Sequence, residues 1–140
     1  MYQKDGVDFG PNPYISHIEE ETLENTNFRK TIWTGEHLQC TVMNIPVGGD
    51  IGLEVHNEND QFIRIEQGTG RTLVGKTEND LTEGEIKADD AIFVPAGYWH
   101  NIENSGDEDL RLYTIYGPKD HLPGTVHPTQ ADAEADPTEE

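Results

Sequence analysis

From about Phe28 onward the chain alternates apolar and polar residues in short runs. Each run is ended by glycine, proline or an Asn/Asp cluster. A period of two puts successive side chains on opposite faces of a strand. The runs are "KTIWTG", "HLQCTVMNIPVGGD", "IGLEVH", "QFIRIEQGTG", "RTLVGK", "AIFVPAG", "HNIEN" and "LRLYTIYG". They predict an all-β sandwich or barrel of eight or more short strands. "QFIRIEQGTG" and "RTLVGK" read as a hairpin turning at Gly68 and Gly70. No long amphipathic helix and no repeat of fixed period interrupts the series. Residues 1–27 form an arm containing Gly6, Gly10, Pro11 and Pro13, with a short strand and a turn around Tyr14–Ile18. Residues 28–117 hold the strands. Residues 118–140 read as an extended strap, "PKDHLPGTVHPT", followed by "QADAEADPTEE", an acidic tail with the composition of disorder.

The 140 residues suit one domain with its own core. Mean hydropathy is −0.74, and no apolar run approaches the roughly 20 residues that span a membrane. "MYQKDGVDFG" lacks the apolar core of a signal peptide. The one cysteine, Cys40, excludes an internal disulfide, reads as buried packing and fits a reducing compartment. A cytoplasmic location follows. Nine Lys and Arg against 28 Asp and Glu give a formal charge of −19. Such a chain repels phosphate backbones and anionic membranes, so neither nucleic acid nor membrane is expected as a partner. Two sources fit this charge: a halophile's salt-filled cytoplasm, or an ordinary acidic protein with an acidic tail. In either case self-repulsion is screened as salt rises.

The candidate chemistry sits in "GLEVHNENDQF" and "PAGYWH". Glu54 and His56, two apart on one strand, project to the same face. Gln61, Ile63 and Ile65 share a face of the next strand. His100 follows the Pro95–Gly97 turn, and only a closed or folded sheet brings it to the other three. Oxygen and imidazole ligands together suit a divalent ion such as Fe, Ni, Mn or Zn. The plainer alternative is a Glu54–His56 hydrogen bond on a polar strand face. Ile63, Ile65, Phe93 and Trp99 are candidates for apolar lining. His121 and His127, on the strap, read as surface or capping residues. Arg64 alternates away from Gln61, toward the outer face or a position between sheets. No Ser-His-Asp order, phosphate-cradling glycine loop or CxxC pair is present.

These spacings resemble the two motifs of the cupin family, Gly-x5-His-x-His-x3-4-Glu-x6-Gly and Gly-x5-Pro-x-Gly-x2-His-x3-Asn. The chain reads Gly48-x5-Glu54-x-His56-x4-Gln61-x6-Gly68, then Asp89-x5-Pro95-x-Gly97-x2-His100-x3-Asn104. It is similar to the small single-domain cupins described as mannose-6-phosphate isomerase-like. The resemblance implies a jelly-roll β-barrel with a divalent metal at Glu54, His56, Gln61 and His100. Three positions depart from the pattern. Glu54 replaces a histidine, Gln61 replaces the glutamate, and Asp89 replaces a glycine. The ligand set therefore becomes two imidazoles, one carboxylate and one amide, with its single negative charge moved from one strand to another.

The resemblance implies a small metal-dependent enzyme of isomerase, epimerase, lyase or dioxygenase type, acting on a small polar or sugar-like substrate. Glu54 serves as general base if it is not a ligand. The alternatives are a sugar- or small-ligand-binding cupin without turnover, and a degenerate cupin that serves as a dimer scaffold. Small cupins commonly cover a neighbour's sheet edge with an N-terminal segment, so a homodimer is expected.

Overall fold

A computed structural model describes residues 7–139; the first six residues of the predicted arm lie outside them. Ten strands run in chain order: β1 (Arg29–Thr34), β2 (Gln39–Ile45), β3 (Glu54–Val55), β4 (Asp60–Gln67), β5 (Thr69–Thr77), β6 (Asp80–Lys87), β7 (Ala91–Val94), β8 (Trp99–Asn104), β9 (Leu110–Gly117) and β10 (Val126–His127). Two short helices flank them, α1 (Ile18–Glu24) and α2 (Gln130–Ala135). A six-stranded sheet, β10-β1-β2-β9-β4-β7, faces a four-stranded sheet, β3-β8-β5-β6. All strand pairs are antiparallel. This is an all-β jelly roll, as the strand pattern and the motif spacing predict.

Period-two patterning fills the space between the sheets. On β4, Gln61, Ile63 and Ile65 are buried while Phe62, Arg64 and Glu66 alternate outward. On β9, Leu110, Leu112, Thr114 and Tyr116 are buried. Met43, Ile45, Ile63, Ile65, Ile102, Leu110 and Leu112 form the interior cluster, each contributing about 1.5–3 kcal/mol relative to exposure. β2 is buried on both faces. Its outward residues Cys40 and Val42 pack with Ile32 beneath Ile18 and Trp33. Cys40 is therefore a packing residue, and burial pushes its thiol up to about 12.

Two turns show the backbone's requirements. β4 and β5 do not form the predicted hairpin. β4 pairs with β7 and β9, whereas β5 pairs with β6 and β8. Gly68, at φ +96°, is the corner where the chain changes sheets. A Cβ there would lie 2.9 Å from the Asp109 carbonyl oxygen. Asp89 occupies the other special position, at φ 77°. Its place in the motif pattern belongs to glycine, and the left-handed backbone accounts for both choices. Aspartate is among the few other residues that tolerate it.

Three expectations for the ends of the chain are corrected. The segment read as a strand and turn near Ile18 begins α1, with Glu19, Glu20 and Glu21 in its first turn, where acidic side chains favour the helix dipole. The described part of the acidic tail is folded. Thr129 caps α2 in a reciprocal capping box with Asp132, and Ala133 joins the interior cluster. The strap histidines are interior residues: His127 is fully buried and His121 is 4% exposed. The strap runs back across the barrel, and His127 pairs in register with Arg29.

The tail is held by a buried hydrogen bond as well as by apolar contact. His127 Nε2 donates to Asp136 Oδ2 at 2.9 Å, and both side chains are fully buried. Burial lowers the His127 pKa despite the Asp136 bond, so the imidazole is a neutral donor to a carboxylate, and a hydrogen bond to a charged group contributes about 1.5–3 kcal/mol. Asp136→Ala should therefore lower the melting temperature by about 6 °C, at 2–4 °C per kcal/mol. A variant that melts within about 2 °C of wild type would show that this pair does not anchor the tail.

Candidate metal centre

Glu54 on β3 and His100 on β8 stand directly opposite each other in register. Cross-strand partners project to the same face, and here that face is the barrel interior. His56 lies two residues beyond Glu54 and joins them. The ligand atoms of Glu54, His56 and His100 all lie within 4.8 Å of one another. Glu54 Oε1 is 3.2 Å from His56 Nε2 and 3.5 Å from His100 Nε2. Gln61 faces the interior from the opposite sheet. It pairs in register with Tyr116, whose ring meets the His56 ring edge-on at 5.8 Å.

The hydrogen bonds leave two lone pairs bare. His100 Nδ1 donates to the Tyr98 carbonyl at 3.2 Å. That fixes the tautomer and leaves Nε2 as an acceptor. His100 Nε2 is buried and has no hydrogen-bond partner among the described residues. Gln61 Nε2 donates to Thr114 Oγ1 at 3.3 Å, and its Oε1 is likewise buried without a partner. Buried acceptors left unsatisfied cost roughly 1–3 kcal/mol each. His100 Nε2 beside a carboxylate and a second imidazole, with Gln61 Oε1 facing the interior from the opposite sheet, fits the donor set of a divalent cation.

Around this cluster lies a group that motif spacing did not reveal. Asp120 Oδ1, from the strap, is 3.2 Å from His56 Nδ1. A carboxylate on the far nitrogen orients an imidazole and raises its basicity as a ligand. Asp120 also lies 3.4 Å from His121 Nε2, and His121 Nδ1 reaches Glu139 at 2.9 Å. The strap and tail are thus wired to the centre. The predicted lining is corrected in part. Ile63 and Ile65 are interior, but Phe93 is 74% exposed and packs against Phe62 on the outer face, ring centroids 5.1 Å apart.

The titration of the cluster follows from these contacts. Burial opposes ionisation of Glu54, but the neighbouring His100 and His56 override it and hold the carboxyl well below its usual range. Burial alone would keep His56 neutral. Its hydrogen bonds to Asp120 and Glu54 prevail and raise it to about 10. Asp120 is lowered, its burial outweighed by His56 and then His121.

Two facing antiparallel sheets, with imidazoles and a carboxylate converging between them, define a jelly roll with a candidate metal site. The sequence profile of the cupin domain family, Cupin_2, matches residues 41–116, and the chain belongs to the cupin family. It is similar to YrkC of Bacillus subtilis (strain 168), 49% identical over 129 residues that cover 91% of this chain and 69% of the relative. It is also similar to L612 of Acanthamoeba polyphaga mimivirus, 46% identical over 117 residues that cover 81% and 70%. Among solved structures, BH2720 from Bacillus halodurans superposes with a TM-score of 0.92 at 49% identity, covering 93% of this chain and 99% of that one.

The raised His56 gives a pH dependence with a defined sign. Its folded pKa of about 10 lies above the unfolded value of about 6.5. The stability it contributes is complete below about 6.5 and is lost as pH rises toward 10. In chelator-stripped protein, the melting temperature should fall across that window, and the fall should be smaller in His56→Gln. Equal slopes in the two proteins would remove His56 as the responsible group.

Proposed function

We propose that this cupin is a small metal-dependent enzyme in which Glu54, His56, Gln61 and His100 hold a divalent ion. The observation that carries this reading is His100 Nε2, buried without a partner beside the Glu54–His56 pair, with Gln61 Oε1 likewise unpartnered in the interior. A divalent ion bound there supplies a Lewis acid for a carbonyl or hydroxyl oxygen. The chain's residues do the rest. Tyr98 fixes the His100 tautomer, Asp120 orients His56, and Glu54 remains ionised as ligand or as proton acceptor. Two imidazoles, one carboxylate and one amide leave coordination positions for a small polar or sugar-like substrate. The reaction classes this supports are isomerisation, epimerisation, lysis and dioxygenation.

One observation favours the alternative of ligand capture without turnover. The further acid and base groups at the site are already engaged: Asp120 with His56 and His121, and Glu139 with His121. Turnover of sugar phosphates and of oxygen-requiring substrates by the metal-loaded protein separates the two readings.

Metal per chain, by elemental analysis after reconstitution with Fe, Ni, Mn or Zn, tests the centre itself. His56→Ala and His100→Ala should each cut occupancy severely, because each removes one of two imidazoles. Gln61→Glu adds a second carboxylate and should tighten binding. Wild type that retains none of the four ions, or His56→Ala that retains as much as wild type, would sink the metal centre.

We also propose a homodimer. An apolar hollow of about 460 Å³ opens on the outer face among Leu38, Phe62, Phe93 and Ile115, a surface that a second copy could cover. Sedimentation of the full chain at micromolar concentration should give twice the chain mass, and a single monomeric species would rule the dimer out.

A further inference from the structure

Arg29 is a cation in an unusual place. It lies on β1 and is 5% exposed. Its register partner on β2 is Met43, an interior residue, so Arg29 also points inward. A buried guanidinium requires compensation by hydrogen bonds and an anion, and here the compensation is incomplete. Arg29 NH1 lies 3.5 Å from His127 Nδ1 and 3.8 Å from Glu139 Oε1. The first is at the limit of a hydrogen bond to a neutral acceptor. The second is an ion pair too long to be one. Arg29 Nε is buried and has no partner among the described residues.

That side chain opens onto a cavity of about 230 Å³, walled by Arg29 and Glu54 together with Phe28, Ile51, Gln130, Ala133, Glu134 and Glu139. Glu54 joins the cavity to the metal centre. Glu139 approaches from the tail, its side chain 18% exposed. The volume is below the roughly 300–1,000 Å³ of pockets for drug-sized ligands, so the fitting ligand is small. Arg29 is the one cation in this lining, set among the carboxylates of Glu54, Glu134 and Glu139. A guanidinium fork matches a carboxylate with two parallel hydrogen bonds.

We propose that this cavity is the substrate pocket and that it selects small carboxylates, which pair with Arg29 in place of Glu139. The proposal rests on the metal-centre reading only in that Glu54 forms one wall and a bound ion would sit behind it. The tail then acts as a resident competitor. Glu139 partly satisfies Arg29 in the empty pocket and yields to a ligand carboxylate that can also occupy Nε.

The test is calorimetric titration of the full chain at fixed ionic strength, both metal-loaded and chelator-stripped. Acetate, malonate and succinate are compared with acetamide, malonamide and succinamide. At least one carboxylate should bind at least tenfold tighter than its amide. A chain of charge −19 gives no general attraction for anions. Arg29→Gln should weaken that carboxylate at least tenfold, with Arg29→Lys restoring it in part. Glu139→Gln should tighten it several-fold, and it carries the test should Arg29→Gln fail to fold. Carboxylates and amides that bind alike or not at all, or an unchanged affinity in Glu139→Gln, would overturn the proposal. Metal per chain is counted on the same samples. Full occupancy without carboxylate preference removes the pocket and leaves the metal centre. Preference in a chain that takes up no metal keeps the pocket and removes the centre.

Discussion

The register of two short strands holds the candidate site together. Glu54 stands opposite His100, and Val55 opposite Trp99. In sequence, β4, β5, β6 and β7 separate these partners, and the chain must cross to the other sheet and return before they meet. β3 is only two residues long and cannot set this register by itself. β8 is fixed by six register pairs with β5, and the Ile51 amide bonds to the Ile102 carbonyl at 3.0 Å, aligning the approach to β3. A slip of one residue would turn His100 to the other face. It would leave Glu54 facing only His56.

The residues that support the centre come from outside the strands that carry it. Asp120, His121 and Glu139 belong to the strap and tail, and Arg29 to the first strand. Their fixed positions depend on the tail's folding back. Gln39 ties the strap down by donating to the His121 carbonyl at 2.8 Å and accepting from the Asp120 and His121 amides. Asn59, just before β4, donates to the Pro118 carbonyl at 3.0 Å. The strap is therefore clamped from β2 and from the β3–β4 loop at once. Those clamps bring Asp120 to His56.

The legible part of this structure was what a local period or a fixed spacing can encode. Alternation on β4 and β9 gave the inward faces, including Gln61. The spacing of Glu54, His56 and His100 anticipated that the folded sheets bring these three within ligand distance. The illegible part depended on long-range contact. Gly68 looks like a hairpin turn because a sheet-changing corner and a hairpin use the same residue chemistry. The tail was read from its composition, yet Thr129 and Asp132 carry a capping signal that composition conceals. His121, His127, Asp120 and Arg29 lie at no motif spacing. Their burial follows from the path of the strap, which has no periodicity to reveal it. Phe93, a candidate for the apolar lining, alternates with buried Val94, and that alternation points it out.

The exchange of carboxylate and amide between β3 and β4 has a physical consequence for this chain. Placed at position 54, the carboxylate stands in register with His100 and also walls the cavity that holds Arg29. At position 61 it would have stood beside Thr114 and Tyr116, on the opposite sheet. The amide that occupies position 61 binds Thr114 through Nε2 and turns a neutral oxygen inward. Formal charge in the four-residue set is unchanged, but the negative end now lies on the same side as the buried guanidinium. A cation at the centre and Arg29 would then flank Glu54 from two directions. Glu139 and Glu134 supply the other carboxylates of the cavity wall, and Glu139 stands beside Arg29. An interior built this way takes an anionic guest only in exchange for Glu139, whereas the exterior of the chain repels anions altogether.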